Sequence, residues 1–247
     1  MTITGTQLTI ILAVVASAGM LFALTPPIVQ DPAYHAFADS RTLFGLSNFW
    51  NVLSNISFLI AAVYGLRALR SRTAFSQPWE RRAYCIVLAG TMAVAIGSSY
   101  YHLRPDDQRL FWDRLPMAVV FMTIVASVIG ERISSKTGQT MLLPLILFGA
   151  ASVVYWRWSG DLRPYVLVQF GAMLALPVLF AFYPPRYTGS GWMWMMGALY
   201  LLAKGLEAFD GRIGAVLATG GHPWKHLAAA GAMFVYVHAV AGRRPLS

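Results

Sequence analysis

The chain has 247 residues, 57% of them hydrophobic and only 12% charged, with a formal net charge of +9. So small a charged fraction, about half that of an average globular domain, excludes a water-soluble protein. The positive charge does not indicate nucleic acid either. The basic residues fall in short loops between apolar runs rather than along one amphipathic face, a distribution that sets membrane topology and meets anionic headgroups.

Apolar stretches close to the roughly 20 residues that cross a hydrocarbon core recur along the whole sequence. They are continuously apolar rather than alternating, which indicates helices and not barrel strands. Eight spans are expected, at about 7–26, 49–66, 83–103, 112–130, 138–156, 164–183, 188–206 and 224–242. Together they make residues 1–247 a single integral membrane domain of the all-α class. The first span holds Ala16-Ser17-Ala18, which resembles a small-residue cleavage site, but no Lys or Arg precedes it, so it reads as a retained helix. The second is entered through Ser47-Asn48-Phe49-Trp50-Asn51-Val52-Leu53-Ser54-Asn55. On a helix Asn51 shares a face with Ser54 and Asn55, either as interhelical glue or as groups that orient other side chains.

The third span contains the lone Cys85, which rules out an intramolecular disulfide framework. It ends on Gly97-Ser98-Ser99-Tyr100-Tyr101-His102, with Ser98 and His102 one turn apart. After a charged hairpin from Arg104 to Arg109, the fourth span opens with Asp113 at the depth of His102. The seventh carries Trp192-Met193-Trp194-Met195-Met196, suited to lipid-facing packing or to lining an acyl-chain cavity. Toward its end Lys204 and Glu207 can pair at i,i+3, close to Asp210. A buried lysine can instead carry a Schiff base, but that accounts for none of the histidines. The eighth span starts at Gly220-Gly221-His222-Pro223-Trp224-Lys225-His226. Pro223 suits a first helical turn, and imidazoles at i and i+4 point the same way.

With eight spans, both termini lie on the side of the even-numbered loops, which carry ten Lys or Arg against six on the odd-numbered ones. The cluster Arg67, Arg70, Arg72, Arg81 and Arg82 dominates that count, and the positive-inside rule places this side in the cytoplasm. Span order alone then brings Asn51, Ser54, His102, Asp113, His222 and His226 to the opposite face. Polar groups inside a bilayer cost a few kcal/mol each and usually find partners in a bundle interior. Three neutral nitrogens from His102, His222 and His226 with an open fourth position form the pattern of a catalytic zinc site. Histidine-rich ligation suits zinc better than calcium or magnesium. His35 and His238 read as hydrogen-bonded groups at the interfaces.

Three blocks, Phe49-Trp50-Asn51-x-x-Ser54-Asn55, then Gly97-Ser98-x-x-x-His102 with Asp113-x-Leu115-Pro116-Met117, and finally His222-x-x-x-His226-Leu227, together resemble the alkaline ceramidases. More distantly they are similar to the adiponectin receptors of the same heptahelical hydrolase superfamily. The likeness covers about residues 39–240. It implies a seven-helix hydrolase core with 7–26 as one extra N-terminal helix, zinc on His102, His222 and His226, and Ser98 and Asp113 as catalytic groups around the water. The implied reaction is hydrolysis of ceramide or a related long-chain N-acyl lipid to a fatty acid and an amine such as a sphingoid base. Eukaryotic ceramidases add an acid-rich calcium site. Here Asn48 stands where a Glu is usual, and Asp39 and Asp31 are the nearby acids, which argues against calcium dependence. The competing reading is a zinc-containing heptahelical receptor or lipid-binding protein without hydrolysis. A transporter would show internal repeats or broken midplane helices, and neither is evident. The expected partners are a membrane lipid substrate and the bilayer. A bacterial inner membrane with the site at the periplasmic face fits the loop charges, as does an endomembrane with a lumenal site.

Overall fold

The computed structural model describes residues 19–246 apart from 21 and 72. The helix expected over 7–26 lies outside the described residues as far as residue 18; beyond it, residues 19, 20 and 22–24 are helical. Among the described residues the element order is α1 (Phe49–Leu53), α2 (Ile56–Gly65), α3 (Pro78–Leu103), α4 (Asp107–Arg132), α5 (Ser135–Ser159), α6 (Arg163–Phe182), α7 (Ser190–Ala208), α8 (Asp210–Gly214) and α9 (His222–Gly242). Short 3-10 turns at Pro32–His35 and Leu66–Arg70 complete the order. Local chemistry sets several ends. Pro78 opens α3, where its missing N–H costs nothing. The Asp106 carboxylate caps α4 by accepting from the Arg109 N–H at 2.7 Å. Gly160, at φ +77°, ends α5 in the left-handed conformation. Starting at Pro78 and after the Asp106 cap, α3 and α4 begin earlier than the expected 83–103 and 112–130.

Among the described residues, five segments are long and apolar enough to cross a membrane: Phe49–Arg70, Pro78–Leu103, Asp107–Arg132, Ser135–Ser159 and Arg163–Phe182. The chain is therefore an all-helical integral membrane protein. Helices α7 and α9 fall where the last two spans were expected and are long enough. Lys204 with Glu207, and His222 with Lys225 and His226, interrupt their apolar runs.

The second expected span is not one continuous helix. The main-chain carbonyl of Asn51 accepts from the Ser54 hydroxyl at 3.1 Å and from the Asn55 side-chain amide at 2.8 Å. Asn55 N–H then bonds Val52 O instead. Side-chain competition for one carbonyl thus breaks the ladder between α1 and α2.

The helices form a ring. Helix α2 packs on α3, α3 on α4, α4 on both α5 and α6, α6 on α7, α7 on α9, and α9 returns to α2. One apolar cluster, including Tyr84, Val120 and Tyr236, joins α3, α4 and α9 at one end. A second, including Leu110, Val153 and Tyr165, joins α4, α5 and α6. The ring encloses a cavity of about 550 Å³ with walls from α2, α3, α4, α6, α7 and α9. Of the Trp192–Met196 run, Met193 and Met196 are buried against this cavity, Trp194 reaches it while staying exposed, and Trp192 and Met195 are exposed and do not line it.

Candidate metal centre

His102 comes from the last turn of α3, and His222 and His226 from the first turns of α9. All three are buried, and one ligating nitrogen from each lies within 4.8 Å of the other two. Among the described residues they are the one group of three or more His, Cys, Asp or Glu side chains placed to hold an ion. Neither ring nitrogen of His102 has a hydrogen-bond partner, and Nε2 of His226 also has none. Each buried polar atom left so costs about 1–3 kcal/mol unless something takes its lone pair or proton. Three imidazoles aimed at one point fit a borderline first-row metal ion, which supplies that partner.

The imidazole of His226 is oriented from the break between α1 and α2. Its Nδ1 lies 2.8 Å from the Ser54 hydroxyl. That hydroxyl spends its single proton on Asn51 O, so it accepts from Nδ1–H and leaves Nε2 with a lone pair. Asn51 itself is buried, and its amide donates to Asp39 O at 3.2 Å. Asn48, in the left-handed conformation at φ 49°, donates its amide to the main-chain carbonyl of His102 at 2.8 Å. Asn48 thus holds the end of α3. Asp39 binds Arg41 through both carboxylate oxygens, at 2.7 and 3.0 Å. Those hydrogen bonds keep the Asp39 carboxyl below the usual carboxylate range.

His222 is set by Asp210, whose Oδ1 accepts from Gly221 N–H at 2.7 Å and His222 N–H at 2.9 Å. This carboxylate caps the start of α9. Gly220, at φ +66°, lets it approach, because a Cβ there would meet Asp210 Oδ1 at 2.5 Å. A strap over residues 34–39 lies against the site and joins α3, α4, α7, α8 and α9. Tyr34 donates to Glu207 at 3.1 Å. His35 bridges the Tyr101 hydroxyl and Asp107. The Phe37 ring packs 4.7 Å from that of His102 and 4.4 Å from that of His222. Ala38 N–H donates to Asp210 at 2.9 Å. Burial, with Glu207 second, pushes the Tyr34 phenol well above its ordinary range, so it remains a donor.

Ser98, one turn back from His102, and Asp113 both line the cavity beside His226. Gly97 permits this crossing of α3 and α4, since a Cβ there would lie 2.1 Å from Trp112 O. Lys204 pairs with Glu207 as the spacing suggested. The chain also adds Lys225, whose Nζ lies 3.0 Å from Glu207 and 3.5 Å from His222 Nε2. Lys225, Asp210 and Tyr34 were not singled out as site residues from sequence. Lys225 sits between the two histidines, and that adjacency was the available signal. His238 stands apart, bonded to Tyr64 and Arg67 at the far end of α9.

No curated protein matches the chain. A family model described as Ceramidase matches residues 44–190, which include Asn51, Ser54, Ser98, His102 and Asp113 and end before the His222 and His226 pair. More than half of the sequence is so matched: the chain belongs to the ceramidase family.

Proposed function

We propose that the protein is a zinc-dependent membrane amidase that hydrolyses ceramide or a related long-chain N-acyl lipid to a fatty acid and an amine. One observation carries this reading: three buried imidazoles converge, with both ring nitrogens of His102 and Nε2 of His226 unpartnered, beside a long cavity that His226, Ser98 and Asp113 line at one end and Leu176, Phe180, Met193 and Met196 line elsewhere. Family membership supports the hydrolase class. In this reading His102, His222 and His226 hold zinc, and residues 39–240 form a seven-helix core to which 7–26 is added. The site faces the periplasmic side of a bacterial inner membrane, for which the support is the excess of Lys and Arg on the opposite loops.

Bound zinc supplies a Lewis acid that makes a water reactive near neutral pH. Asp113 takes the proton of the attacking water and passes it to the leaving nitrogen as the C–O bond forms and the C–N bond breaks. Ser98, beside Asp113 on the cavity wall, gives its single proton to the carbonyl oxygen as charge builds there. Phe37 keeps bulk water off the imidazoles, and the acyl chain occupies the apolar part of the cavity.

The test is metal content together with amide hydrolysis. Wild type should carry one zinc per chain and cleave an N-acyl lipid scored by mass spectrometry. His226→Ala should lose the metal. Asp113→Asn should keep the metal yet lose turnover by about 100-fold or more. Metal-free wild type, or unchanged turnover in Asp113→Asn, would overturn the reading.

A further inference from the structure

The residue after Asp113 has no part in the mechanism above. Arg114 is 6% exposed and lines the cavity. Its guanidinium carbon lies 4.4 Å from the Trp156 ring centre, 4.9 Å from Tyr165 and 5.4 Å from Tyr34. Three π faces therefore hold the charge in one place. Nη1 is buried and has no hydrogen-bond partner among the described residues. Glu207 is engaged with Lys204, Lys225 and Tyr34, and neither it nor Asp113 forms an ion pair with Arg114 among the described residues. Among the charged side chains of the cavity wall that are not exposed, the cations Arg114, Lys204 and Lys225 outnumber the carboxylates Asp113 and Glu207 by one.

A buried guanidinium without an anion is costly, and its fork-shaped donors match a carboxylate. Beyond it the cavity turns apolar, with Leu176, Phe180, Met193 and Met196 on its walls. A long-chain amphiphile bearing a carboxylate meets both requirements at once. We propose that Arg114 binds the carboxylate of such an amphiphile in this cavity. That group comes either from the amine side of the substrate, as in an N-acyl amino acid, or from the released fatty acid. The substrate arm rests on the amidase reading; the binding itself does not.

The experiment is equilibrium binding to purified full-length protein in an uncharged detergent, for wild type, Arg114→Gln and Arg114→Lys. The probes are palmitate, N-palmitoylglycine and the neutral N-palmitoylethanolamine. Wild type should bind at least one carboxylate probe about tenfold or more tightly than the neutral one, the range expected for a charge-assisted hydrogen bond. Arg114→Gln should abolish that preference, and Arg114→Lys should keep part of it. Stronger binding of N-palmitoylglycine than of palmitate assigns the carboxylate to the substrate, and the reverse order assigns it to the product. Equal binding of neutral and anionic probes by wild type overturns the proposal whether or not the variants fold, as does a preference that survives in Arg114→Gln. Carboxylate-selective binding without cleavage of any amide would instead remove the amidase reading and leave Arg114 in place.

Discussion

Ser54 shows how one hydroxyl can decide the chemistry of a ring it merely touches. Because its proton goes to Asn51 O, it fixes the tautomer of His226 and points the Nε2 lone pair at the other two imidazoles. Ser54→Ala should leave the helices intact but weaken zinc binding by about 10- to 100-fold, measured by competition with a chelator. An unchanged affinity would mean that packing alone orients the ring. The three histidines were legible in sequence because i,i+4 spacing and shared membrane depth are one-dimensional properties. Arg114 was not, since in sequence it reads as a charge at a helix end, and only the fold surrounds it with Trp156, Tyr165 and Tyr34. Asp210 was equally hidden: its role depends on the main-chain N–H groups of residues 221 and 222, which no side-chain pattern advertises.

At the scale of elements, positions of the helices were readable from apolar run lengths, whereas their interruptions were not. The break after α1 comes from competition among Asn51, Ser54 and Asn55 for one carbonyl, a contest that hydropathy does not register. The crossing of α3 and α4 is as tight at Gly97. A Cβ there would meet Trp112 O at 2.1 Å and Trp112 C at 2.8 Å, both main-chain atoms that cannot rotate away. Gly97→Ala should therefore push the two helices apart, destabilise the protein by about 1–3 kcal/mol and lower turnover by separating Ser98 from Asp113. Gly205→Ala in α7 is the comparison, because nothing lies within 4 Å of a Cβ at that position. Thermal unfolding in detergent should show no loss for Gly205→Ala, and a gain of up to about 1 kcal/mol from helix propensity. Equal effects of the two substitutions would show that the Gly97 contact is not what sets the helix crossing.

For the whole molecule, the ring is fastened at the end remote from the histidines. Arg243, just past α9, donates to Ala74 O at 2.6 Å and to Glu131 at 3.2 Å, lies 3.7 Å from Glu80, and stacks 4.0 Å above the Tyr187 ring. Tyr187 in turn donates to Glu80 at 2.7 Å. One guanidinium thus ties the C-terminal end to α3, α4 and two loops. Arg243→Ala would leave Glu131 with Arg132 alone at 3.7 Å and Glu80 with the Ser76 N–H and the Tyr187 hydroxyl, and the expected loss is about 1–3 kcal/mol, read as a drop in the unfolding midpoint. A variant that unfolds at the wild-type temperature would show these carboxylates to be satisfied without it.

Closure of the ring by its last helix has a consequence for how the protein is made. His222 leaves the ribosome about 120 residues after His102, an interval of roughly 6–24 s at ordinary rates of synthesis. By its end all five apolar segments are available to the bilayer, while the cavity wall that α9 provides does not yet exist. Asp113 and Arg114 then face an unfinished interior with neither Lys225 nor the histidine pair opposite. A metal held on these three imidazoles, as proposed, would therefore be loaded only once insertion is complete, as the final step of biogenesis rather than an aid to it.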